Sequence, residues 1–233
     1  TYIMINNTSY RVSSVTDNTT IVLVDTYRGT TVSGSIYKAH KMNNGFHIEN
    51  LTLIGSNNGI FVRSARQAII SNVLIRNVLV NPSILHCDNS SFRDIIVENS
   101  SAGFNLDSNV SCDLYGCEAM NCTGIGINIV GTTRNVLLNN CNSSNCGGVG
   151  LNVSAPATNC LIIDSVFNNN NDKGINTDPG SITCSIIGCV VRGNASWGID
   201  YDGVNNIIDS CVIDGNGNSG VRAGVDGIIS NCQ

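Results

Sequence analysis

Three aspartates near the C-terminal end stand at spacings that can do chemistry. Asp178 closes the phrase GINTD, and Asp200 and Asp202 sit two residues apart in the next copy, GIDYD. On an extended strand, residues two apart lie roughly 6.5–7 Å from each other at Cα and point to the same side. Two carboxyls about 6.5–9.5 Å apart can serve as acid and base with a water between them, the arrangement that cleaves a glycosidic bond with inversion. Like charges crowded together favour a shared proton, which supplies the acid. The same oxygens also read as a calcium site, since hard cations take clustered carboxylates, or as a solvated acidic patch.

Polar side chains extend this candidate site along the chain. Two places after the first residue of a recurring phrase stand His47, Phe61, His86, Asn105, Asn128, Asn152, Asn176, Asp200 and Arg222. Four places after it stand Glu49, Arg63, Asp88, Asp107, Val130, Ser154, Asp178, Asp202 and Gly224. Rows of amides and carboxylates about 4.8 Å apart suit the hydroxyls of an extended glycan. Asn105, Asp107, Asn128, Asn152, Asn176 and Arg222 are therefore candidate ligand-binding residues, although a polar exterior is also what any soluble rod needs. Trp197, the single tryptophan, precedes one of the leading glycines; it offers a face to a sugar ring or packs over a neighbouring repeat. His47 and His86 share a column two repeats apart, too far to ligate one metal.

The elements that must carry these residues are written in the period. The phrase reads GFNLD at Gly103, GINIV at Gly126, GLNVS at Gly150, GINTD at Gly174, GIDYD at Gly198 and GVRAG at Gly220, a return every 22 to 24 residues. Looser copies are GFHIE at Gly45, GIFVR at Gly59 and ILHCD at Ile84. Such a period means one structural unit stacked on copies of itself. One place after the lead stand Phe46, Ile60, Leu85, Phe104, Ile127, Leu151, Ile175, Ile199 and Val221, all apolar, and the third place is nearly so. That alternation is a strand with one buried face. A second set aligns Ile70, Phe92, Leu114, Leu138, Ile163, Ile186, Ile208 and Ile229, followed three residues later by Val73, Ile95, Cys117, Cys141, Val166, Cys189, Cys211 and Cys232. Asn77, Asn99, Asn121, Asn145 and Asn170 then align at a turn. Asparagine tolerates the left-handed conformation there and can bond amide to amide when stacked. No segment sustains a helical apolar stripe. The pattern predicts an all-β chain: a right-handed parallel β-helix of about eight coils over residues 42–233, its hand taken from the rule for parallel connections.

Composition narrows the partners. The chain has 233 residues, 42% of them apolar, and a net charge of −5 with no basic stripe, which argues against nucleic acid. Its apolar runs are too short to span a membrane as a helix. The 11 cysteines fall in the repeat register rather than a metal-ligand pattern, and they read as small core hydrophobes. Neighbouring coils are close enough for some disulfides, yet the odd count and inward stacking predict folding in a reducing compartment. The chain ends at GIISNCQ, partway through a coil, so a longer chain or a partner subunit is expected to cover that end.

Residues 1–41 depart from the period. Short alternating segments at Tyr2 to Ile5, Tyr10 to Val15, Thr20 to Val24 and Val32 to Tyr37 predict a small antiparallel β module that caps the first coil. The run INNTSYRVSSVTDNTTIVLVDTYRGTTVSG resembles a β module found in bacteriophage tail and fibre proteins. The repeats over roughly 45–233 resemble the pectin-lyase-like superfamily, which includes phage tailspikes and many polysaccharide-active enzymes. That resemblance implies a polysaccharide partner, a homotrimer of the tailspike kind, and a virion or extracellular location. Asn176-Thr177-Asp178 is similar to the NTD motif of the polygalacturonases, which implies Asp200 or Asp202 as the acid and the other aspartates as activators of water. Tyr201 intervenes where that family has adjacent aspartates, no histidine follows His86, and no RIK motif surrounds Arg222. Pectate lyases of the superfamily use calcium with a basic residue.

Three functions are consistent with these features: a tailspike-like or fibre-like segment that binds a surface polysaccharide, a polysaccharide hydrolase, lyase or epimerase using Asp178, Asp200 and Asp202, and a purely structural rod. The scarcity of long loops, which wall the clefts of the superfamily's enzymes, disfavours the second.

Overall fold

The computed structural model describes the backbone of Tyr2–Ile5, Thr8–Asp17, Thr20–Leu23 and Tyr37–Ala39, then Gly45 and residues 47–233 apart from 58, 64, 81 and 225. Tyr2–Ile5 and Thr20–Leu23 flank Thr8–Asp17 in a three-stranded antiparallel sheet. Residues 24–36, which hold most of the segment expected at Val32 to Tyr37, lie outside the described residues. Tyr37–Ala39 pairs in parallel with Ile60–Arg63, so the first coil starts before residue 42.

From there the chain winds as a parallel β-helix, with no helix among the described residues. One face is a nine-stranded sheet in which the glycine-led strands are joined by Tyr37–Ala39 and Ser83–Leu85. Its register is regular: Phe104 pairs with Ile127, and Leu151, Ile175, Ile199 and Val221 continue the row. The remaining strands form a sheet bent round a corner. Ser91–Glu98 runs through that corner at Asp94, whereas the next coil breaks there into Asp113–Tyr115 and Glu118–Met120.

The leading glycine marks a close approach between coils. A Cβ on Gly126 would lie 1.8 Å from Ser143 Oγ and 2.8 Å from the carbonyl oxygen of Gly150, and one on Gly103 would lie 2.0 Å from that of Gly126. Any side chain at this point pushes adjacent coils apart.

Each coil bends at residues in the left-handed region, five apart: Ser111, Gly116 and Asn121, then Asn135, Asn140 and Asn145, then Asn159, Asp164 and Asn169. Asparagine, aspartate and glycine reach that region at least cost. The residue after each corner points inward. All eleven cysteines hold this place, each preceded by a residue of positive φ. The thiols carry more than apolar volume. Cys141 Sγ donates to the carbonyls of Leu114 (3.5 Å) and Asn139 (3.6 Å), and Cys117 and Cys211 repeat the pattern one coil away or more. Ser165 and Asn194 do the same work elsewhere: Ser165 Oγ donates to Ile163 O, and Asn194 Nδ2 to Phe167 O. The cysteines are thus core side chains whose thiols add a second, weak contact to carbonyls at the bends; Asn139 O, for example, also accepts from Gly116 N–H (3.0 Å).

Four column assignments change. The phrase at Gly45 lies on the bent sheet, where His47 pairs with Ile69 and Ile48 with Ile70. Ile84 pairs with Val62 and Leu106, three places from the position expected, because this coil lacks its glycine; His86 is a corner residue, so it shares no column with His47. Ile162 and Ser165 fill the inward columns in place of Ile163 and Val166, and Asn169 is the corner residue in place of Asn170. In that coil two consecutive isoleucines and a buried serine disguise which side faces in.

Candidate functional site

The polar rows expected on the glycine-led face are present, and most of their donors are spent on one another. Asn128 Nδ2 donates to Asn105 Oδ1 (2.9 Å), Asn152 Nδ2 to Asn128 Oδ1 (2.9 Å), and Asn176 Nδ2 to Asn152 Oδ1 (2.8 Å). Asn152 also donates to Ser154 Oγ (2.8 Å) and Asn176 to Asp178 Oδ1 (2.7 Å). The in-register pairing of one coil on the next aligns these amides. Asp107 accepts from Ser108 Oγ (2.8 Å). It lies in the Asp178 row but three coils earlier, beyond Val130 and Ser154.

At Asn176 the ladder meets charge. Lys173 Nζ donates to Asn176 Oδ1 (2.8 Å) and pairs with Asp200 Oδ2. Asp200 continues the ladder column, in register with Asn176 on one side and Arg222 on the other. It is 1% exposed, and its second oxygen accepts from Arg222 Nε. Arg222 Nη2 reaches Asp202, which is half-buried. The two aspartates raise the pKa of Arg222, with the Asp200 hydrogen bond the main cause. Asp200 Oδ2 makes no hydrogen bond of good geometry, and the Lys173 ammonium is its counter-ion. Asp178 and Asp202 occupy equivalent places on consecutive coils, their N–H groups donating to Val153 O and Thr177 O. Tyr201 between Asp200 and Asp202 is fully buried.

Trp197 stands at the centre of the same group. Lys173 Nζ lies 5.7 Å and Arg222 Cζ 5.1 Å from the centre of its ring, both within cation–π range. The structure therefore gathers Asn176, Asp178, Trp197, Asp200, Asp202 and Arg222 in three coils, and leaves Asn105, Asp107 and Asn128 further along the face. Lys173 was missed. It sits outside the two polar columns, yet it shares a place with Trp197: the Lys173 carbonyl accepts from Gly150 N–H and the Trp197 carbonyl from Gly174 N–H, leading glycines one coil apart.

Both Asp200 oxygens face cations, and among the described residues no group of three or more His, Cys, Asp or Glu side chains is placed to hold a metal ion. No helix of the described residues is long and apolar enough to cross a membrane.

A family model described as a right-handed beta helix region matches residues 35–200. No curated protein sequence matches the chain. Among solved structures, the enzymatically active domain of tailspike protein 2 of bacteriophage CBA120 is similar at 14% identity and a TM-score of 0.57, covering 80% of this chain and 35% of that one. The Dettilon tailspike protein is similar at 14% identity and a TM-score of 0.50, covering 84% and 57%. The A-module of a mannuronan C-5 epimerase from Azotobacter vinelandii is also 14% identical, with a TM-score of 0.49 and coverage of 85% and 78%. The chain thus spans about a third and just over half of the two tailspikes. At this identity the likeness shows the fold.

Proposed function

We propose that this chain, which belongs to the family of right-handed β-helix regions, binds a surface polysaccharide on its glycine-led face, as a segment of a tailspike-like or fibre-like protein. The observation that carries the reading is the convergence of the only tryptophan, two cations and three aspartates on three adjacent coils. A partly exposed aromatic ring rimmed by fixed polar groups is a platform for a sugar. Tailspikes with the same fold support the polysaccharide and the virion or extracellular location. A homotrimer is part of the same proposal. The N-terminal strands and the phage-module resemblance point the same way.

A glycan array with the full chain tests the reading, with Trp197→Ala as control. Binding to at least one polysaccharide that is lost in the variant is expected; no binding to any glycan would overturn it.

Hydrolase, lyase or epimerase chemistry is the second reading. Asp178 and Asp202 on consecutive coils favour it, because both remain at the surface beside the platform. Asp200 fits it poorly: a carboxylate 1% exposed and clamped between two cations has no path to exchange a proton with substrate. Loss of reducing-end or unsaturated product formation in a folded Asp202→Asn variant is the expected result under this reading, and full activity in that variant counts against it.

A further inference from the structure

We infer that the sugar chain bound here is neutral and rich in hydroxyls, because a buried aspartate has already spent the cations beside Trp197. The inference rests on the glycan reading above and adds the ligand class.

Charge is the first ground. Lys173 and Arg222 contribute +2 and Asp178, Asp200 and Asp202 contribute −3, so the cluster carries −1. Neither cation is idle. Lys173 is engaged by Asp200, Asn176 and the Trp197 ring; Arg222 is engaged by Asp200, Asp202 and the same ring. A polymer with an acidic group on each sugar would bring repeated negative charge to a surface that is negative and holds its cations in place.

Hydrogen-bond sense is the second ground. Along the face both amide N–H groups of Asn152 and of Asn176, and one of the two on Asn128, are committed to neighbours. The Asp178 carboxylate accepts a hydrogen bond from Asn176 and that of Asp202 one from Arg222, and each has capacity for more. The site is rich in acceptors and poor in donors. Sugar hydroxyls, which donate, match it; sugar carboxylates or sulfates, which only accept, do not.

The test uses the full chain and the intrinsic fluorescence of Trp197. Probes are a β-glucan and a galactomannan as neutral polymers, and polygalacturonate, alginate and hyaluronate as acidic ones. The expected result is binding of a neutral polymer, with affinity changing less than about twofold between about 50 and about 300 mM salt. Tighter binding of an acidic polymer, weakening severalfold over that range, overturns the inference and leaves the glycan reading standing. Binding of no polymer overturns both. Asp200→Asn removes one negative charge and frees the cations, and Asp202→Asn does so from the exposed rim should the buried change prevent folding. In either variant acidic polymers should gain relative to neutral ones; selectivity identical to wild type would also overturn the inference.

Discussion

Replacing Asn152 by alanine separates a strut from a ligand contact. Asn152 Nδ2 donates to Asn128 Oδ1 (2.9 Å) and Ser154 Oγ (2.8 Å), and its Oδ1 accepts from Asn176 Nδ2 (2.8 Å). Each intramolecular hydrogen bond is worth about 0.5–1.5 kcal/mol net. The site is half-buried, so water takes over part of what is lost, and the low end applies to each of the three bonds. The expected destabilisation is about 1.5 kcal/mol. Urea denaturation reads it as a lower midpoint at unchanged slope. Glycan affinity, followed through Trp197, should stay within about threefold, since the amide donors face their neighbours rather than the ligand. An unchanged midpoint together with an affinity loss of about tenfold or more would show that the amide is a ligand contact and refute the ladder.

Three further outcomes follow from the fold. Asn140 has a φ of 52°, so Asn140→Ala should lower stability by about 1 kcal/mol while Asn140→Gly leaves it nearly unchanged; equal losses would mean that the side chain, not the backbone conformation, matters. Gly126→Ala drives a Cβ into Ser143 Oγ and the Gly150 carbonyl and should cost about 3 kcal/mol or prevent folding, as read by circular dichroism and thermal melting. Burial holds the Cys112 thiol up at about 12 against an ordinary 9.0. The unfolded chain therefore loses this proton first, and the stability it contributes is complete below pH 9 and is lost as pH rises towards 12. At pH 10 the loss is about 1.4 kcal/mol from this thiol alone; Cys112→Ser should reduce the fall in stability in that window by about that amount, the other buried thiols with raised pKa keeping the remainder.

The period made the coil legible because glycine is obligatory where one backbone lies on the next, and that constraint recurs wherever coils stack. Legibility failed where a coil met the constraint differently. Pro82 and Ser83 stand in a coil without the glycine, which displaced Ile84 by three places. Buried Ser165 looked external because its hydroxyl is satisfied by a carbonyl two residues back, a partner that no apolar pattern reveals. The cysteines looked like small hydrophobes for the same reason. At the site, the aspartates and Trp197 were visible as residue types in columns. The burial of Asp200 was not, because it depends on Lys173 and Arg222 reaching it from the coils on either side.

The central claim is that the Lys173–Trp197–Arg222 group is a glycan platform. Because Trp197 is the only tryptophan in 233 residues, its emission reports on that group alone. Titration of the full chain with oligosaccharides of the polymer it binds should shift this emission saturably, and should protect it from acrylamide quenching. Glycan binding with no change in emission or quenching would contradict the account by placing the binding surface elsewhere on the coil.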